Sequence, residues 1–159
     1  MDKLWAPWRK AYILKKTKTR CFICQIKKSS RHDQKNFILK RTAHNLAVLN
    51  LYPYNNGHLM VTPKRHVKDL TFLNDAELLD LFRLMNQMSR LLTKSLKPQG
   101  MNIGINLGKS AGAGLLGHVH VHLVPRWAGD SNFMPVIGGT KVISESLQSV
   151  YQRLKKNLR

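Results

Sequence analysis

Three histidines at alternate positions, His118, His120 and His122, are the part of this chain best suited to chemistry. In an extended backbone, side chains alternate faces with period two, so the three imidazoles share one face. Val119, Val121 and Leu123 then take the other face, turned to the core. A rise of roughly 3.3 Å per residue spaces successive rings by about 6.6–7 Å along the strand. Buried imidazoles need hydrogen-bond partners, so three in a row are expensive as core filling. The pattern points to metal ligation, or to acid/base and nucleophilic work on a substrate. A glycine-rich stretch runs just ahead of it, Asn106-Leu107-Gly108-Lys109-Ser110-Ala111-Gly112-Ala113-Gly114. Small residues let backbone N–H groups approach phosphate oxygens, and Lys109 adds charge. His58, after the Asn56-Gly57 turn, is a fourth histidine able to reach the same pocket.

Cys21 and Cys24 have the two-residue gap that lets two thiolates hold one tetrahedral zinc. Taken alone the pair also fits two buried apolar thiols; a redox pair would need a thioredoxin-like helix after it. His44 and His32 are the remaining nearby histidines, the first a spare ligand candidate, the second a solvated loop residue.

These groups need elements to position them. Asn74 starts the clearest helix: its side chain can cap, and Glu77 completes a capping-box pattern. Leu78, Leu81, Phe82, Met85, Met88 and Leu92 follow at helical spacing, and Lys97-Pro98-Gln99-Gly100 stops the run. A second helix is expected after Ser144, with Leu147, Val150, Tyr151, Leu154 and Leu158 as its apolar stripe. Strand-like runs cover Leu46 to Leu51, His58 to Thr62, Met101 to Leu107 and His118 to Val124. Tyr52-Pro53-Tyr54-Asn55-Asn56-Gly57 reads as the turn joining the first two into a hairpin. Clustered strands with helices between and after them predict an antiparallel α+β fold, not a parallel doubly wound sheet.

The chain has 159 residues, the size of one domain, and is 43% hydrophobic, enough for a genuine core. Residues 1–30 form a basic N-terminal segment with the cysteine pair, 44–126 the core, and 127–159 an extension with the last helix. No apolar run reaches the roughly 20 residues of a membrane-spanning helix, and the N-terminus lacks the apolar stretch of a secretory signal. Two cysteines make no disulfide scaffold, so a cytoplasmic location is expected. Lysine and arginine number 27 against 8 acids, a formal charge of +19. Such a field attracts polyanions, whether phosphorylated small molecules or nucleic acid. Trp5, Trp8 and Tyr12 interleaved with Arg9, Lys10, Lys15 and Lys16 keep open a basic nucleic-acid-binding module, since aromatics can stack bases.

His118-Val119-His120-Val121-His122-Leu123-Val124 resembles the signature of the histidine-triad (HIT) nucleotide hydrolases and transferases. Asn50 to Pro63 is similar to that family's hairpin, and Asn106 to Gly112 to its phosphate loop. Pro125-Arg126-Trp127, Asn132 to Gly138, Leu4 to Arg9 and Tyr12-Ile13 resemble its diadenosine-polyphosphate branch, including a bacterial phosphorylase-like subgroup. The resemblance implies a homodimeric enzyme that cleaves nucleoside 5′-phosphoanhydrides, with a divalent cation accompanying the polyphosphate. It implies His120 as the nucleophile, His122 on a phosphate oxygen, and His58 and His118 as orienting groups. Asn50 would bind ribose and Asn106 would lie near the α-phosphate, with Gly112 and Gly114 completing the nucleotide site; Lys109 is added for the polyphosphate tail on its charge alone. It also implies that His66, of Pro63-Lys64-Arg65-His66, and His118 join Cys21 and Cys24 as ligands of a structural zinc. One departure stands out. Where the family carries a small hydroxyl residue before the triad, this chain has Gly114 and Leu115, and only Ser110 is a substitute. That absence favours water over phosphate as acceptor, with a diadenosine tetraphosphate phosphorylase of ATP adenylyltransferase type as the alternative. Removal of adenylate from nucleic-acid ends is a further alternative, not favoured because 159 residues leave no appended nucleic-acid module.

Overall fold

Five strands make one antiparallel sheet in the computed structural model, which describes residues 21–138, 140 and 142–158. They are β1 (Ile38–Arg41), β2 (Asn45–Leu49), β3 (Leu59–Pro63), β4 (Gly100–Ile105) and β5 (Val121–Arg126). Their spatial order is β1-β2-β3-β5-β4, every neighbouring pair antiparallel. The expected α+β class and the β2–β3 hairpin are both present. The aromatic and basic N-terminal motifs, Leu4 to Arg9 and Tyr12 to Lys16, lie outside the described residues.

Both faces of the sheet are covered, and β2 shows how. Ala47 and Leu49 point to a core shared with the helices, while Leu46 and Val48 join Ile38, Met60 and Ile23 on the opposite face. Period-two alternation therefore leaves every β2 residue buried. The helices are α1 (Phe22–Ile26), α2 (Asp75–Leu96), α3 (Met134–Ile137) and α4 (Leu147–Asn157). At the start of α2, Asn74 Oδ1 accepts from the Glu77 amide at 2.9 Å, and Glu77 Oε2 accepts from the Asn74 amide at 3.0 Å. Lys97 ends the helix in the left-handed conformation (φ 49°), ahead of Pro98. Ser146 caps α4, which buries Val150, Tyr151 and Leu154.

The structure corrects three sequence expectations. Phe82 is 49% exposed, while Leu84 and Leu91 are buried, because α2 packs on α4 as well as on the sheet. Ladder pairing of the triad strand begins only at Val121. Ahead of it, the Val119 amide donates to the Val67 carbonyl at 2.7 Å, and Thr62 Oγ1 donates to the Val119 carbonyl at 2.8 Å. Strand β1, short and ending in the basic pair Lys40-Arg41, was not expected from the sequence. No helix among the described residues is long and apolar enough to cross a membrane.

Candidate active site and metal-ligand cluster

His122 sits opposite Met60 in the β3–β5 ladder and opposite Gly104 in the β4–β5 ladder. Across-strand partners share a face, so the triad lies on the side away from α2. At Gly104 a Cβ would meet nothing within 4 Å, so the sheet is open beside His122. His58 is placed by Gly57, whose φ of +74° favours glycine. A Cβ there would also run into Leu96.

The four histidines are buried: His58 and His118 are 1% exposed, His120 6% and His122 8%. Burial, helped by the His122 and His120 rings, pushes His58 down to about 3. Burial and the His120 ring push His122 down to about 4. Burial also lowers His120, partly opposed by its bond to the His118 carbonyl. Neutral imidazoles result at physiological pH. His120 Nδ1 lies 2.9 Å from that carbonyl, which can only accept. The ring proton is therefore assigned to Nδ1, and Nε2 is left with a lone pair suited to attack. His58 Nε2 and His122 Nδ1 are 2.8 Å apart, and the Tyr54 ring tilts over both, its centroid 4.5 Å from His58 and 5.7 Å from His122.

The His118 ring faces the cysteines of the implied ligand set, and its carbonyl reaches His120. Its Nδ1 is 3.1 Å from Cys21 Sγ and 3.7 Å from Cys24 Sγ, and His66 Nδ1 is 3.3 Å from Cys24 Sγ. One ligand atom from each of Cys21, Cys24, His66 and His118 lies within 4.8 Å of all the others. The donor chemistry fits a metal. His118 Nε2 donates to the Pro63 carbonyl at 2.7 Å, which leaves the Nδ1 lone pair aimed at the sulfurs. Burial lowers the pKa of His118 to about 4, so the ring is neutral and able to ligate a metal. Burial likewise pushes the Cys21 thiol up. His44 stands apart from this cluster, its amide donating to Asp80 Oδ2 at 3.0 Å. His32 is exposed in a short 3₁₀ turn.

Asn50 reaches the histidines. Its Oδ1 accepts from the Tyr52 amide at 2.9 Å, which turns its Nδ2 to within 3.4 Å of His58 Nδ1. Asn106, Lys109, Gly112 and Gly114 lie in the connection from β4 to the triad, closed by Gly112 N to Lys109 O at 3.0 Å and Ala113 N to Gly108 O at 3.2 Å. Asn106 is half-buried and Lys109 exposed. Leu115, at the position of the missing hydroxyl, packs against the cluster that contains Ile23 and Met60. Sequence reasoning missed Tyr54, Thr62 and the Pro63 carbonyl. Only Tyr54 left a signal, as an aromatic in the turn before His58.

An antiparallel α+β sheet carrying alternating buried histidines, one with a free ring nitrogen, defines the histidine-triad class of site. The HIT domain model matches residues 31–129, and the chain belongs to the HIT family. A Mycobacterium tuberculosis protein named AP-4-A phosphorylase is 39% identical over 163 residues, 97% of this chain and 83% of its own length. A Schizosaccharomyces pombe protein named bis(5′-nucleosyl)-tetraphosphatase (asymmetrical) is 38% identical over 93 residues, 58% of this chain and 50% of its own. A zinc-bound histidine triad family protein from Mycobacterium smegmatis superposes with a TM-score of 0.68 at 27% identity, covering 87% of this chain and 92% of that one.

Proposed function

We propose that this chain splits dinucleoside polyphosphates, diadenosine tetraphosphate foremost, through a nucleotidyl intermediate on His120. The observation that carries the reading is the 2.9 Å bond from His120 Nδ1 to the His118 carbonyl, which leaves a lone pair on Nε2 of a buried neutral ring and supports its role as nucleophile. Nε2 attacks the α-phosphorus, a P–N bond forms, and ATP departs with the electron pair of the broken P–O bond. An acceptor then attacks the same phosphorus and displaces His120, so one hard displacement becomes two easier ones. His122 steadies a phosphate oxygen, His58 orients His122, Asn50 takes the ribose, and Asn106, Lys109, Gly112 and Gly114 cradle the phosphate tail. A divalent cation escorts the polyphosphate.

Phosphate is the acceptor on this reading, supported by the AP-4-A phosphorylase name of a relative matching 97% of this chain. The glycine and leucine at 114 and 115 favour water instead, which is the second reading. Product analysis with diadenosine tetraphosphate, with and without millimolar phosphate, separates them. Phosphorolysis yields ATP and ADP only when phosphate is present. Release of AMP regardless of phosphate makes the protein a hydrolase, and an intact substrate in both reactions removes the function.

Cys21, Cys24, His66 and His118 hold a structural zinc on this reading, supported by their convergence and by the zinc-bound M. smegmatis structure. The metal would tie three chain segments together and supply no step of the reaction. We also read the protein as a cytoplasmic homodimer. For the dimer, support comes from an apolar groove of about 320 Å³ that includes Phe82, Met85 and Ile103 beside edge strand β4, and sedimentation checks it.

A further inference from the structure

His120 and His122 have ring centroids 4.8 Å apart, yet the proposed reaction asks opposite polarity of them. One must offer a lone pair to phosphorus, the other a proton to a phosphate oxygen. A neutral imidazole has one N–H and one lone pair, and the partner of one nitrogen decides which is which. For His120 the decision is made by the His118 carbonyl. For His122 it is made further away. Its Nδ1 faces His58 Nε2 at 2.8 Å, a contact in which either ring could be the donor. The next link breaks the tie: His58 Nδ1 lies 3.0 Å from the main-chain nitrogen of Tyr54. An amide N–H only donates, so His58 Nδ1 must accept, and the ring proton of His58 sits on Nε2. That proton is given to His122 Nδ1, which leaves the proton of His122 on its Nε2.

We propose that the main-chain amide of Tyr54 is a positioning group that fixes, through His58, the tautomer in which His122 presents an Nε2–H donor. A carbonyl and an amide, of opposite hydrogen-bonding sense, thus assign opposite roles to two adjacent identical side chains. The inference rests on the proposed function only for what the donor acts on. Asn50 Nδ2 stands nearly equidistant from the two His58 ring nitrogens, 3.4 Å from Nδ1 and 3.5 Å from Nε2, so the shorter 3.0 Å contact from the Tyr54 amide decides. The amide is also held firmly. Asn55, beside it, donates from Nδ2 to the Pro125 carbonyl at 3.0 Å and to Asp130 Oδ2 at 2.6 Å. The loop closes through His58 N to Asn55 O at 3.1 Å and Asn50 N to His58 O at 2.9 Å. Burial keeps His58 and His122 neutral across the physiological range, so a single-proton tautomer is the relevant state.

The test replaces residue 54 with the α-hydroxy-acid counterpart of tyrosine, converting the amide to an ester that has no N–H but keeps the side chain. Proton–nitrogen correlation spectra of the ligand-free protein, labelled with ¹⁵N in histidine, distinguish Nδ1–H from Nε2–H rings. In the wild type, His58 and His122 should appear as Nε2–H and His120 as Nδ1–H. In the ester protein, His58 and His122 should turn into tautomer mixtures while His120 stays unchanged. Turnover of diadenosine tetraphosphate should then fall about tenfold in kcat, the worth of one lost hydrogen bond, with KM shifted less than about twofold. An Nδ1–H His122 in the wild type overturns the proposal without any variant, so an ester protein that fails to fold does not shield it. Unchanged tautomers in a folded ester protein overturn it too. Expected spectra in a protein that leaves the dinucleotide intact would support the tautomer assignment and reject the substrate.

Discussion

At the scale of single residues, the site works by keeping imidazoles neutral and giving each a defined polarity. His120→Ala should keep the secondary structure, since the backbone of this segment is held by Val67 and Thr62, not by the ring. Its kcat should fall by on the order of a thousandfold or more, because the group that forms the bond is gone. Retention of a tenth of the wild-type kcat would rule out covalent catalysis at this position. Burial also leaves a signature in stability. His58 and His122 have folded pKa values of about 3 and about 4, below the 6.5 of a free imidazole. Between those limits the unfolded chain binds more protons, so stability is full above about pH 6.5 and drains away as the pH falls toward 4 and 3. Urea midpoints should decline steadily from pH 7 to pH 5, and a flat profile would mean these rings are solvated. The triad was legible in the sequence because its side chains carry the chemistry. The Tyr54 amide was not, since a main-chain donor has no residue type to mark it. The ring of His118 faces the cysteines because two sulfurs and the Pro63 carbonyl claim its nitrogens; alternation along a strand does not show that, and only the family resemblance grouped it with Cys21 and Cys24.

At the scale of elements, α2 and α4 could be read from sequence because their signals are local: a cap, an apolar stripe and a stop. The cap of α2 is also a tertiary joint. Arg65 donates to both carboxylate oxygens of Glu77 at 2.8 and 2.7 Å, linking the segment after β3, which supplies His66, to the start of the helix. The Arg65 guanidinium, with the Asn74 amide, holds Glu77 down to about 2. Removing the cap with Asn74→Ala should cost about 1 kcal/mol. The cost should show as a lower urea midpoint at unchanged slope, and an unmoved midpoint would mean that Glu77 and Arg65 hold the turn alone. Strand β1 could not be read, because its status depends on a partner. Phe37 enters it at a φ of 55°, and a register shift falls between Ile38 and Lys40. The start of β5 was misplaced for the same reason. Residues 118–120 are patterned like a strand, but the Thr62 hydroxyl and the Val67 carbonyl take hydrogen bonds that a ladder would use.

At the scale of the whole molecule, four carboxylates are each committed to an arginine: Asp33 to Arg41, Glu77 to Arg65, Asp130 to Arg126 and Glu145 to Arg153. The positive excess is thereby left to the lysines and the remaining arginines, a field suited to polyphosphate but silent about its partner. Charge alone could not choose a function, whereas the histidine and cysteine positions could. Arg41 also donates to the carbonyls of Ile26, Lys27 and Ser29, and Lys27 Nζ donates to the Lys64 carbonyl at 2.6 Å, so α1 is tied to the sheet beside the four ligands. A metal there would close the chain between Cys21 and His118, 97 positions apart, with His66 between them. Binding that needs the folded arrangement adds directly to folding stability, and a Cys₂His₂ set binds zinc tightly. Protein purified without chelators should therefore carry close to one zinc per chain, and stripping it should lower the melting temperature. Cys24→Ser should lose the metal and show the same lowered melting temperature before any chelator is added. Its kcat should fall far less than that of His120→Ala, because the ligands hold the backbone that supports the nucleophile and touch no substrate. Less than about a tenth of a zinc per chain in the wild type would sink the site, since a closed tetrahedral set does not give up its ion during ordinary purification.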